Sequence, residues 1–258
     1  TITPETIQDK LNRASKGAWT DYAFYLGDTM RTSSNLSEWE NLKGVCGIKI
    51  FMGVSTGTLL VSDKVALEKI FTETAGLIAV HAEDEDRMNE RRKLIEGRTD
   101  VAAHAYYRDD ITALLATKLS VELAIKTGHR LHILHLTSGI EADYLADYCT
   151  LPSKAEQHPI ITTEVLPQHL TFDETDVDEQ GVRLQMNPPI RYAADRDILW
   201  SRLRDGTIQC IATDHAPHTL EDKAKGFPKA PSGMPGVETS LSVMLTNVND
   251  GKCSLEDV

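Results

Sequence analysis

Four short apolar segments each carry, at or near the C-terminal end, a side chain able to bind a metal ion or move a proton. They are Lys49 in GIKIFMG, His81 in LIAVHAED, His135 in LHILHLTSG and Asp214 in CIATDHAPH. Two imidazoles and a carboxylate are suitable zinc ligands. A single strand-end histidine is more often a hydrogen-bonded structural group, and a single aspartate more often a helix cap or ion-pair partner. Four such residues at the same end of separate strands argue instead for a shared site. Lys49 is the unusual member. An unpaired ammonium at the end of a buried strand is costly, so it must be paired, neutralised or modified.

The remaining polar residues are read more plainly. Alternation along a strand puts Leu131, Ile133 and His135 on one face and His132 on the other. His135 is then the inward candidate, and His132 faces the surrounding helices. His169, in LPQHL, ends a strand and is read as structural. His215 points out of the pocket or supports its neighbour Asp214. His104, His129 and His158 are read as surface residues. The charge run 83–93 is a solvated helix face, with Glu83 able to support His81. Cys46, Cys149, Cys210 and Cys253 form no close pair and are expected to be reduced packing residues, Cys210 in a buried strand.

The elements that position these residues follow from periodicity. Apolar runs predict strands near 19–26, 47–52, 77–82, 131–136, 161–166 and 209–214. Helical patterns lie between them. One opens at Thr3-Pro4-Glu5, and one runs from the Ser62-Asp63 cap to about Thr74. Others cover about 83–95 and 101–127, the latter closed by Gly128, then a stretch after Gly139, 195–203 and 237–248. Alternation of strand and helix predicts an α/β fold with a parallel sheet. The choice is between an open doubly wound sheet and a (β/α)₈ barrel. No Gly-rich phosphate loop follows any strand, which weakens the nucleotide-binding version. Active sites of parallel barrels form at the C-terminal strand ends, where the four residues lie.

Composition narrows the function classes. The 258 residues include 41% hydrophobic and 26% charged residues, an ordinary globular balance. Net charge is −12, from 27 Lys and Arg against 39 Asp and Glu. Such acidity disfavours nucleic acid and anionic membrane surfaces as partners. No apolar run approaches the roughly 20 residues of a membrane span. The first residues have neither region of a signal peptide, so a cytoplasmic location is expected.

The segments GIKIFMGVSTG, VHAEDE, LHILHLTSG, EVLPQHL, MNPPIR and TDHAPHT, in this order, resemble the amidohydrolase superfamily. More narrowly the chain looks like a dihydroorotase, NPPIR and TDHAPH being the most specific parts. The resemblance implies a TIM-like (β/α)₈ barrel with one or two Zn²⁺ ions. It implies interconversion of N-carbamoyl-L-aspartate and L-dihydroorotate in pyrimidine biosynthesis. By it, Lys49 is carboxylated by CO₂ and bridges the metals, which resolves its charge. His81 and His135 are metal ligands. Asp214 is a metal ligand and the catalytic proton shuttle. Asn187 and His218 bind substrate, and the loop at 230–233 closes over it. The partners implied are the small-molecule substrates, with no nucleic acid and no membrane, and a second copy of the chain in a homodimer.

The sequence also departs from that family. Its first-strand His-x-His pair, followed by Phe-Arg-Glu-Pro, is not found here. The six strands correspond to strands three to eight of the family's barrel. The chain is therefore expected to be one partial barrel domain over 1–258, without the family's small β domain, and inactive alone. Two other readings remain: a hydantoinase or allantoinase sibling, and a non-catalytic dihydroorotase-like subunit of a complex.

Overall fold

The computed structural model describes residues 2–27, 35–55, 59–149 and 160–258. Six strands form one sheet in sequence order: β1 (Phe24–Gly27), β2 (Val45–Phe51), β3 (Ile78–His81), β4 (Leu131–Leu136), β5 (Ile161–Val165) and β6 (Cys210–Ile211). Every neighbouring pair is parallel. A doubly wound sheet reverses its strand order at a switch point. No reversal occurs here, and consecutive order is that of a (β/α) barrel wall. The fold is α/β and TIM-like, with six strands among the described residues.

The helices are α1 (Pro4–Ala14), α2 (Leu36–Trp39), α3 (Lys64–Glu73), α4 (Glu85–Arg92), α5 (Ala102–Tyr107), α6 (Asp110–Thr127), α7 (Gly139–Ala146), α8 (Pro167–Thr171), α9 (Glu174–Gln180), α10 (Ala193–Arg204), α11 (Leu220–Lys223) and α12 (Ser240–Asn249). Local chemistry sets their limits. Asp63 caps α3 by accepting from the Ala66 amide, and Ser138 caps α7 through Glu141. Gly128 closes α6 at φ 71°, a left-handed conformation that glycine adopts without steric cost.

Three expectations need correction. The helix expected over 101–127 is two helices. Arg108 leaves the helical region, and the Asp109 side chain accepts from the Thr112 amide to start α6 afresh. β1 begins at Phe24, because Trp19 stands fully in solvent with no surface to pack on. β6 is limited to Cys210–Ile211, followed by one more contact from the Ala212 amide to the Val165 carbonyl at 3.0 Å.

The main core lies between the sheet and its helices. Leu26, Ile48, Ile50, Ile78, Val80, Leu131, Ile133, Ile161 and Val165 pack there against Leu67, Ile70, Phe71, Val121, Leu145 and Leu199. Each fully buried aliphatic side chain contributes about 1.5–3 kcal/mol. Strand alternation then turns Lys49, Ala79, His81, His132, Thr162 and Glu164 to the inner face. A second cluster, around Leu166, Leu184, Met186, Ile190 and Met234, supports the loops beyond β5 and β6.

Candidate active site

His81 is the last residue of β3 and is buried. Its Nε2 lies 2.8 Å from Glu83 Oε2, and its Nδ1 lies 3.1 Å from His135 Nε2. Glu83 is fully buried and is also ion-paired to Arg108. Burial pushes the Glu83 carboxyl up, but the Arg108 charge and the His81 hydrogen bond overcome it and hold the group at about 2. Arg108 also donates to the Val54 carbonyl in the loop after β2 and to the Tyr107 hydroxyl at 2.9 Å. An ionised Glu83 fixes the proton of His81 on Nε2. The His81 Nδ1 lone pair is then aimed at His135.

His135 reaches that point by an irregular route. The β4–β5 register shifts between Ile133 and Leu136, and His135 itself has φ 37°. Leu131, Ile133 and Leu136 all lie in the helix-side core, so one residue has been inserted into the alternation. This corrects the face expected for His132. It faces inward, with Nδ1 2.8 Å from Thr162 Oγ1 and Nε2 3.1 Å from Glu164 Oε2. The break in register, rather than alternation, turns His135 inward as well. Its amide donates to Glu164 Oε1 at 3.2 Å.

Lys49 and Asp214 complete the group electrostatically. Surrounding protein pushes the Lys49 ammonium down to about 8, against the opposing charges of Asp214 and Glu164. The ammonium also sits 4.5 Å from the centre of the Phe51 ring. Desolvation raises the Asp214 carboxyl, opposed by Lys49 and His81. Asp214 adopts φ 40°, which turns the chain sharply at the end of the β6 segment. Burial lowers both His81 and His135, so each imidazole is neutral near pH 7. Neutral imidazole is the metal-binding form.

The two imidazoles are suited to a divalent metal ion, although the Asp214 carboxylate does not lie within 4.8 Å of ligand atoms on both rings. Two neutral imidazole nitrogens converge, one amine and one carboxylate lie within Coulombic reach, and buried His135 Nδ1 has no protein partner. A proton on His135 Nε2 satisfies the facing nitrogens, and a cation between the rings would do so in its place.

Asn187 and His218 lie on the loops around this end. Asn187 Nδ2 donates to Ser55 Oγ at 3.3 Å, and its Oδ1 is buried without a partner. His218 Nε2 lies 3.0 Å from the Ser232 carbonyl oxygen. The 230–233 loop is pinned by Gln185, which donates to the Ala230 carbonyl and to Ser232 Oγ, and by Lys223, which donates to the Pro231 carbonyl. Gly233, at φ 139°, passes so close to the Ala216 carbonyl that a Cβ would sit 2.6 Å from it. Arg191 donates to Thr137 Oγ1 and to the Arg108 carbonyl, linking the segment before α10 to the end of β4 and to the α5–α6 junction.

His104, His129 and His169 differ from the sequence reading. His104 and His129 are buried rather than on the surface. His104 contacts Ser232 Oγ at 3.3 Å, and His129 bonds the Thr74 carbonyl at 3.1 Å. His169 lies in α8 rather than ending a strand, and contacts the Pro188 carbonyl. His215 accepts from the Gly236 and Val237 amides. His158 and positions 56–58 of the segment after β2 lie outside the described residues. Cys210 is exposed rather than buried, on the inner face beside Glu164. Glu164 and Arg108 were not singled out from the sequence. Glu164 carried a usable signal, a charge inside an apolar strand, as Lys49 did. Arg108 carried none within its helical pattern.

A dihydroorotase of Methanosarcina mazei is 31% identical over 255 residues, 96% of this chain and 56% of the relative. One of Halobacterium salinarum is 31% identical over 268 residues, 100% of the chain and 58% of the relative. The fold superposes on the L-hydantoinase of Arthrobacter aurescens with a TM-score of 0.89 at 29% identity, covering 100% of this chain and 58% of that one. The chain is thus similar in sequence to dihydroorotases and in fold to a hydantoinase. Another amidohydrolase structure, the dihydropyrimidinase of Brevibacillus agri, gives a TM-score of 0.81 at 27% identity. No family model matches the chain. The chain spans a little over half the length of these amidohydrolase relatives.

Proposed function

We propose that this chain forms the strand-end part of the active site of a zinc-dependent cyclic amidase, a dihydroorotase. The reaction is the reversible conversion of N-carbamoyl-L-aspartate to L-dihydroorotate in pyrimidine biosynthesis. The observation that carries this reading is the convergence of His81 Nδ1 and His135 Nε2 at 3.1 Å, with Lys49 and Asp214 coupled to the group through charge. The 31% identity to dihydroorotases adds the substrate class.

In this reading His81, His135, Asp214 and Lys49, carboxylated by CO₂, hold the zinc. The zinc when bound polarises the cyclic amide carbonyl and lowers the pKa of water. Glu83 keeps the proton of His81 on Nε2 and leaves Nδ1 free to bind. Asp214 takes a proton on its carboxylate oxygen and returns it to the leaving nitrogen. Its raised pKa brings it closer to the working pH of such a shuttle. Asn187 and His218 orient the substrate, and the pinned 230–233 loop covers it. The 258 residues by themselves do not include the family's His-x-His pair, and we expect no turnover from them alone.

Further parts of the proposal are a single, partial catalytic barrel unit over 1–258, a cytoplasmic location and a homodimer. No helix among the described residues is long and apolar enough to cross a membrane. The similarity in fold to hydantoinases favours one second reading, hydrolysis of hydantoin-like rings. A substrate panel on the protein with its complete barrel separates the two. Turnover of dihydroorotate supports the first reading, and turnover of hydantoin without dihydroorotate replaces it with the second.

A further inference from the structure

The inner face of the sheet carries a second donor group, apart from the residues assigned above. His132 on β4, Glu164 on β5 and Cys210 on β6 project from three adjacent strands. Register explains their meeting: His132 pairs with Thr162, and Glu164, two residues further along, pairs with Cys210. One ligand atom from each lies within 4.8 Å of the others. Among the described residues this is the one trio of His, Cys and carboxylate groups so placed. His132 is buried, and Cys210 is open to the inner space.

The geometry points to a second metal site at His132, Glu164 and Cys210, suited to a borderline-soft divalent ion of the zinc class. Nitrogen, oxygen and thiolate donors together match the ligand types of zinc, which would leave a fourth position for water. Thr162 Oγ1, 2.8 Å from His132 Nδ1, is an outer partner that can accept the Nδ1 proton and leave Nε2 to the metal. Glu164 divides its oxygens: Oε1 takes the His135 amide, and Oε2 faces His132 Nε2. Without metal, the same contacts are satisfied when Nε2–H donates to Glu164 and the Thr162 hydroxyl donates to Nδ1. On binding, the imidazole proton moves from Nε2 to Nδ1. The Cys210 S–H bond breaks, a sulfur–metal bond forms, and one proton leaves to solvent. The site adjoins the dihydroorotase centre but does not depend on that assignment.

Sulfur makes the test selective. The group formed by Lys49, His81, His135 and Asp214 has no thiolate, so a thiolate-to-cobalt absorption band cannot come from that group. Co²⁺ is titrated into the reduced, metal-stripped protein with its complete barrel. A near-ultraviolet thiolate–cobalt band saturating at one ion per chain is expected. It should vanish in Cys210→Ser and persist in Cys46→Ser and in His81→Ala. Thr162→Val should keep the band and weaken cobalt affinity roughly tenfold, the usual cost of losing an outer partner. Circular dichroism of each variant separates loss of the site from loss of the fold. No band in the folded parent chain overturns the proposal, as does a band that survives Cys210→Ser. So does a band lost in a folded Cys46→Ser or His81→Ala variant.

Discussion

His81 Nδ1 and His135 Nε2 face each other at 3.1 Å across the ends of two neighbouring strands. Neither ring is placed there by regular strand geometry alone. His81 is held from behind by Glu83, and His135 is turned inward by a break in register with φ 37°. A backbone held in a sparsely populated region costs on the order of 1–3 kcal/mol and persists only where its surroundings enforce it.

The support behind His81 can be tested without touching a ligand. Glu83→Gln keeps the size of the side chain and removes the charge that fixes the His81 tautomer. Zinc affinity should fall about 10–100-fold, the range for loss of such a partner. Metal content after dialysis against a graded chelator series, with circular dichroism as the fold control, checks this. Unchanged zinc affinity would remove Glu83 from the account.

Arg108 should matter to folding more than to metal. It is buried and ion-paired to fully buried Glu83. Arg108→Met leaves that carboxylate without its main counter-charge. Breaking a buried pair from one side costs about 3–5 kcal/mol. The urea midpoint of Arg108→Met should drop accordingly, and Arg108→Met combined with Glu83→Gln should recover part of the loss.

Asp109, next to Arg108 in the chain, gives a pH signature of its own. Burial works against its ionised form, but hydrogen bonds from Arg87 and Thr112 prevail and lower its pKa from 3.8 to about 2. A folded-state pKa below the unfolded one adds stability above pH 3.8. That stability is lost as pH falls toward 2. The side chain is partly exposed, so solvent screening reduces the effect to on the order of 1 kcal/mol. Asp109→Asn should lower the urea midpoint above pH 3.8 and differ little from the parent near pH 2. A deficit independent of pH would assign the effect to the helix cap alone.

The sequence made the strand framework legible because buried parallel strands read as continuous apolar runs. Five of the six runs match their strands within a few residues. The first run extends too far because it includes Trp19, and hydrophobicity alone cannot tell an exposed tryptophan from a packed one. The alternation rule failed at β4, where an inserted residue changes which side chains share a face. His132, Glu164 and Cys210 were therefore not seen as neighbours, since their meeting depends on the registers of three strands. The boundary between α5 and α6 was present in the sequence as Asp109-Asp110, a capping signal masked by the apolar pattern around it.

Substrate contacts and metal contacts should separate. In the protein with its complete barrel, Asn187→Ala or His218→Ala should reduce dihydroorotate turnover while zinc content stays near that of the parent. Asp214→Asn should lower turnover about 10²–10⁴-fold, the range for loss of a general acid–base group. Zinc loss in Asn187→Ala equal to that in His81→Ala would merge the two roles.

The most direct test measures bound zinc and L-dihydroorotate turnover together in His135→Ala, in the protein with its complete barrel. The account predicts that zinc and turnover are lost together while the helical circular dichroism signal is kept. Dihydroorotate turnover at the parent rate by a folded His135→Ala variant would contradict it.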